Sequence, residues 1–321
     1  MSLIKYGVFF ICAAVAPWAF AQSATDYPTR AIEIVVPYPA GGPNDVIARL
    51  LGDQMSKTLG QSVVIRNMPG AGGNVATAAV ARAEPDGYTL ILPAMAYAVN
   101  PALFKEVNYR FEDFEPVSMV ASGPLILVTH PDLGFKTVQD LIDAAKAEPG
   151  KLEYASGGVG TSLHLAAELF QSKAGVKMLH VPYKGTGALM PDLLAGRVGV
   201  LFSSPLTVRQ HIEQGSLVAL GVTSETVVEE WKGIPSISDT VPDYEMAGWY
   251  SLMAPAGVPD EILDKLNAAV RSAQESQGFM EKMYGLGVNA VKTTREEARA
   301  YIDAEVKKWS ELVKEAGIVA N

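Results

Sequence analysis

Two glycine-rich strings hold the residue types best suited to chemistry. Pro39-Ala40-Gly41-Gly42-Pro43-Asn44-Asp45 follows the apolar run 32–36, and Ser156-Gly157-Gly158-Val159-Gly160-Thr161-Ser162 precedes a helical pattern over 163–170. A turn between a strand and a helix leaves backbone N–H groups unpaired where the helix dipole favours negative charge. The chemistry on offer is anion binding without a charged side chain. Two such turns, far apart in sequence, predict two lobes gripping one anion. Asp45 does not fit that role. In a first helical turn it favours the dipole and can pair with Arg49 at i+4.

Other chemistries are poorly served. The chain has no HExxH, no GxxxxGK[ST] and no GxSxG. Gly70-Ala71-Gly72-Gly73 starts like a dinucleotide fingerprint, but Val75 stands where the third glycine belongs, so it reads as a strand-to-helix loop. Of the histidines His130, His164, His180 and His211, none pairs at metal spacing with another His or a Cys. His164 lies in a first helical turn, where it either lines a cleft or packs. The other three read as structural or exposed. Ser203-Ser204 finds no nearby His/Asp arrangement. We expect neither enzyme activity nor a metal or cofactor.

The chain has 321 residues, 19% charged and 49% apolar, with a formal net charge of −9. That length suits two domains, and the acidity argues against nucleic-acid binding. Lys5, the short apolar run 6–16, Pro17 and Ala19-Phe20-Ala21 read as a secretory signal cut between Ala21 and Gln22. Cys12 is the only cysteine, so the mature chain relies on its core without disulfides. The expected product is a soluble, exported, monomeric protein of the periplasm.

The elements that position the turns follow from periodicity. Strands are predicted at 30–36, 62–66 and 88–92, with helices at 44–58 and 74–83 between them. Gly60 closes the first helix. The alternation restarts with strands at 125–129, 152–155, 178–181, 199–202 and 218–222 and helices at 137–147, 161–173, 186–195 and 207–214. From residue 255 the chain becomes helical, at 259–275, 277–285 and 294–315, with a β-like stretch at 288–291. Thr294 and Glu297 form a capping box. Crossovers between lobes are expected near 121–125 and 247–253.

The chain resembles the periplasmic solute-binding proteins of the Bug family, also called TctC-like receptors of tripartite tricarboxylate transporters. The resemblance rests on ordered strings: Tyr27-Pro28-Thr29-Arg30, Pro37-Tyr38-Pro39-Ala40-Gly41-Gly42, Asn67-Met68-Pro69-Gly70-Ala71-Gly72-Gly73-Asn74, and Pro85-Asp86-Gly87-Tyr88-Thr89-Leu90. It continues through Ser156-Gly157, His164-Leu165, His180-Val181-Pro182-Tyr183-Lys184-Gly185, Asp192-Leu193-Leu194-Ala195-Gly196 and Ala254-Pro255-Ala256-Gly257. It implies an α/β, two-lobed periplasmic-binding-protein fold, each lobe a mostly parallel sheet flanked by helices. Lobe one takes 22–123 and 251–321, lobe two takes 124–250, and the ligand lies in the interlobe cleft.

The implied ligand is a small carboxylate, held by amides near Ala40, Gly41 and Gly42, by those of Gly157 and Gly158, and by the hydroxyls of Thr161 and Ser162. Tyr38, Asn44, Ser156, His164, Tyr183 and Ser204 are further cleft candidates. Many relatives carry Asp where this chain has Ser203, so a ligand without an amine is expected. Met95 and Tyr97 either belong to the core or give the cleft an apolar wall, which would suit an aromatic dicarboxylate such as terephthalate. The implied partners are membrane subunits of a tripartite transporter. Alternatives are a receptor for citrate or another hydroxy acid, a ligand-presenting sensory protein, and an exported hydrolase.

Overall fold

The computed structural model describes residues 26–224, 231 and 233–317, so the predicted signal segment lies outside the described residues. The chain opens with β1 (Ile32–Val36), α1 (Pro43–Leu59), β2 (Val63–Asn67), α2 (Asn74–Val80), β3 (Thr89–Ile91), α3 (Ala96–Leu103) and β4 (Phe114–Pro124). A second set follows: β5 (Ile126–Thr129), α4 (Val138–Ala147), β6 (Glu153–Ser156), α5 (Ser162–Ala174), β7 (Leu179–Pro182), α6 (Thr186–Leu194), β8 (Val200–Ser203), α7 (Pro205–Glu213) and β9 (Val218–Val222). The chain returns through β10 (Ala247–Pro255), α8 (Asp260–Glu275), α9 (Gln277–Gly285), β11 (Asn289–Ala290) and α10 (Arg295–Ala316).

Two sheets result, a six-stranded one in the order β11-β4-β10-β3-β1-β2 and a five-stranded one in the order β7-β6-β8-β5-β9. Each is mixed. β1, β2 and β3 run parallel, as do β6, β7 and β8, whereas the strands that carry the chain between lobes pair antiparallel. The parallel halves follow from sequence. In β1, Ile32, Ile34, Val35 and Val36 are all buried, as a central strand covered on both faces requires. α1 buries Ile47, Ala48, Leu51 and Met55 at helical spacing and ends at Gly60, whose φ of +69° suits glycine.

The lobe boundaries read from sequence fall at the end of β4 and inside β10. Between these long strands and the second sheet sits Thr223, fully buried. Its hydroxyl accepts from Leu125 N–H (2.8 Å) and donates to the Met246 carbonyl (2.5 Å). Its backbone N–H and C=O bond Leu125 and Met246 as well. One residue thus knits both crossings.

Candidate functional site

Parallel pairing puts the loops after β1, β2 and β3 at one edge of the first sheet, and those after β6, β7 and β8 at one edge of the second. In open α/β sheets that carboxyl edge is where ligands bind. Helices α1, α5, α6 and α7 start there. Their N-caps, Gly42, Thr161, Gly185 and Ser204, make no side-chain cap hydrogen bond; in α6 and α7 the Ala188 and Thr207 N–H groups turn back to the Gly185 and Ser204 carbonyls, whereas the first-turn N–H groups of α1 and α5 have no partner among the described residues.

In the first lobe Asp45 organises the turn. Its carboxylate accepts from Gly41 N–H (2.9 Å), from Arg49 Nε and Nη2 (3.0 and 2.8 Å) and from Asn67 Nδ2 (3.0 Å). Asn67 Nδ2 also donates to the Tyr38 carbonyl (3.1 Å). The Arg49 bonds foremost, with those of Gly41 and Asn67, hold the Asp45 carboxyl down at about 2. Its charge is therefore offset where an incoming anion would otherwise be repelled. The Gly41 amide, expected to face the anion, is spent on Asp45. Among the described residues the N–H groups of Ala40, Gly42, Asn44 and Asp45 have no hydrogen-bond partner; Ala40 is exposed at the tip, and the Asn44 side chain is buried against the Leu92 carbonyl.

In the second lobe, hydrogen bonds inside the turn engage several expected contacts. Ser156 is fully buried, and its Oγ lies 2.6 Å from His180 Nε2 and accepts from Gly158 N–H (3.1 Å). The Thr161 hydroxyl donates to the Gly158 carbonyl (2.7 Å). His164, also buried, accepts from Gly160 N–H at Nδ1 (3.1 Å). The Tyr183 hydroxyl donates to Asp192 (2.9 Å), which Arg197 also binds, so it faces α6. Ser156, Gly158, Thr161 and His164 are therefore engaged within the turn, and the Tyr183 hydroxyl is engaged on α6. Gly157 N–H, the Ser162 hydroxyl and the first-turn amides of α5 remain open.

The two edges meet through close backbone approaches. A Cβ on Gly160 would lie 2.4 Å from Leu103 and 3.7 Å from Asn100, both on α3. Asn100 Nδ2 in turn donates to the Gly72 carbonyl (3.0 Å) and to Asn74 Oδ1 (2.8 Å). A Cβ on Gly73 would stand 3.8 Å from the Tyr38 hydroxyl, which burial and the neighbouring Tyr250 keep protonated and able to donate. Ser203, at the end of β8, is 1% exposed, and its hydroxyl has no partner among the described residues. Ser204 caps α7 beside it and bonds Thr207. Met95 and Tyr97 lie elsewhere: Met95 is buried in the core, and Tyr97 stacks on Tyr109 and meets Phe111 and Phe114 edge-on. The Tyr97 ring is thus covered by protein on several sides.

A sequence model of the "Tripartite tricarboxylate transporter family receptor" matches residues 47–318. The chain belongs to this family. BugT of Bordetella pertussis is 36% identical to it over 319 residues, 98% of this chain and 97% of BugT. Rpa4515 of R. palustris, solved with adipate, superposes with a TM-score of 0.83 at 34% identity, covering 92% of this chain and 99% of its own. MatC from Rhodopseudomonas palustris, with bound malate, has a TM-score of 0.79 at 28% identity over 89% of this chain and all of its own (100%). The two-lobed α/β fold of these binding proteins is the fold found here.

For a receptor of this family, the sequence reading passed over three contributors. Asn74 and Asn100 tie the loop after β2 to α3, and His180 reaches Ser156. The loop was readable: it follows β2, and parallel pairing must bring it beside the first glycine turn. The positions of Asn100 and His180 needed the tertiary fold.

Proposed function

We propose that this family receptor captures a small carboxylate, a dicarboxylate without an amine, between the α1 and α5 N-termini. It then delivers the ligand to membrane subunits of a tripartite transporter. The observation that carries this reading is the pair of uncapped helix starts on facing carboxyl edges, with Gly160 seated against α3. Open amides there suit a carboxylate group, and desolvation strengthens each bond. The unpartnered Ser203 hydroxyl supplies no fixed negative charge, which disfavours a ligand ammonium. It also has no hydrogen-bonded base, which favours binding over hydrolysis. With Met95 and Tyr97 in the core, the case for an aromatic body weakens. A flexible dicarboxylate such as adipate fits better, in keeping with the adipate-bound relative. In this reading the exported chain works in the periplasm, and lobes 22–123 with 251–321 and 124–250 close by hinge motion.

A thermal-shift screen against adipate, malate, citrate, terephthalate, phthalate, nicotinate and aspartate tests it, because a ligand that binds only the folded state raises Tm. The expected result is a shift with a dicarboxylate and none with aspartate. A strong aspartate response would overturn the Ser203 argument, and a strong citrate response would favour the hydroxy-acid alternative.

A further inference from the structure

Behind the second-lobe turn lies a group of rings that the binding reading leaves unused. Tyr154 on β6, His164 on α5 and His180 on β7 are nearly parallel. The two imidazoles are 4.1 Å apart and inclined at 17°, and His180 lies 4.9 Å from Tyr154. Each histidine faces the turn with one nitrogen. His164 Nδ1 accepts from Gly160 N–H, so its ring proton sits on Nε2, which points toward Glu168 Oε1 at 3.8 Å. His180 Nε2 bonds Ser156 Oγ, which in turn holds both polar groups of Gly158. Glu168 also accepts from the Tyr154 hydroxyl and from Gln171 Nε2 (2.8 Å), which fixes the acidic side of the group.

We infer that His164 and His180 are positioning residues of the anion site: neutral imidazoles that tie down Gly158 and Gly160, so that the open amides beyond them face the cleft. Neither touches the ligand. Burial keeps both rings uncharged, which preserves His164 Nδ1 as an acceptor. Without that acceptor, the buried Gly160 N–H would lose its partner and the turn would relax. The geometry names the atom that matters on each ring, Nδ1 on His164 and Nε2 on His180.

That assignment predicts crossed rescue. The Asn amide sits near the Nδ1 position and the Gln amide near Nε2, so His164→Asn keeps the acceptor, and His180→Gln the donor to Ser156 Oγ, that His164→Gln and His180→Asn lose. Amide hydrogen exchange of the full mature chain, free of ligand, reads this out. We expect Gly160 protection to fall about tenfold or more in His164→Gln and to stay within about threefold of the native value in His164→Asn. Gly158 should respond in the same crossed way to His180→Asn and His180→Gln, while amides in the middle of α5 keep their protection. Equal loss in both variants of a pair, loss spread over all of α5, or no loss would overturn the inference. The consequence for binding rests on the carboxylate reading, and titration with adipate tests it separately. A tenfold weaker Kd in His164→Gln than in His164→Asn is expected. Failure of adipate to bind the native chain would count against the ligand class and leave the exchange result standing.

Discussion

Ser203 is the residue where cost and use separate most clearly. A buried hydroxyl with no partner among the described residues gains no hydrogen bond from the protein around it. Replacing it by alanine should therefore leave the stability of the free protein unchanged or raise it by up to about 1 kcal/mol. If the hydroxyl bonds a ligand carboxylate, the same change should cost about 1–3 kcal/mol of affinity. Calorimetric titration with the dicarboxylate found by screening, beside thermal unfolding without it, measures both; unchanged affinity would remove Ser203 from the site. The two histidines behind the turn give stability a pH dependence of definite sign. Burial lowers His164 from 6.5 to about 3, aided by its neighbour His180, and lowers His180 from 6.5 to about 4. The unfolded chain thus takes up protons first as pH falls. Stability from these groups is complete above about pH 7 and is lost progressively as pH drops from about 6.5 toward about 3. Urea unfolding of the native chain and of a His164→Asn/His180→Gln double variant, compared between pH 7 and 4.5, should show a steeper loss in the native chain.

At the scale of elements, the long strand β10 is clipped to α10 by the Glu305 side chain. Glu305 is 9% exposed, and its Oε2 accepts from the indole N–H groups of Trp249 on β10 (2.9 Å) and Trp309 on α10 (2.7 Å). Glu305→Leu would strand both donors in the core, at about 1–3 kcal/mol for each N–H. Glu305→Gln keeps an acceptor and should lose much less. Urea unfolding followed by tryptophan fluorescence, which samples both indoles, distinguishes the two variants. These elements also mark where the sequence was legible. β1, α1, α4, α5 and the Thr294 capping box followed from apolar spacing, caps and glycine stops, because each is fixed by local rules. β4 and β10 read only as crossovers. Their alternation is broken by Pro116, Ser118 and Gly123 in one and by Gly248 and Ser251 in the other, and the pairing carries register shifts near Tyr250 and Met253. α3 was hidden because Pro101 interrupts a short helix that tertiary contacts with α10 hold in place. The glycine turns were legible as anion sites, but not which of their amides stay open. That choice depends on Asp45, His164 and Ser156 reaching back from other positions.

Across the whole molecule, the lobes touch where glycine permits it from either side. Gly160 of the second lobe seats against Leu103 of the first, and a Cβ on Gly287 of the first would lie 2.6 Å from Pro205 of the second. Both glycines have positive φ, +79° and +74°, so a side chain at either would be strained as well as obstructed. In the proposed closure these glycine backbones must approach the facing side chains this closely, and the approach at Gly160 brings the second turn onto Leu103 and Asn100 of α3. A methyl group there should act as a wedge between lobes. Gly160→Ala is expected to weaken dicarboxylate binding about tenfold or more by penalising the closed form, while thermal unfolding without ligand changes less. Leu103→Ala removes the obstructing Cδ1 but not the strain at φ, so the double variant should recover part of the lost affinity. Small-angle scattering with saturating ligand adds the structural readout: the native chain should contract on binding and Gly160→Ala should contract less. Full contraction with native affinity would show that the Gly160 contact plays no part in closure.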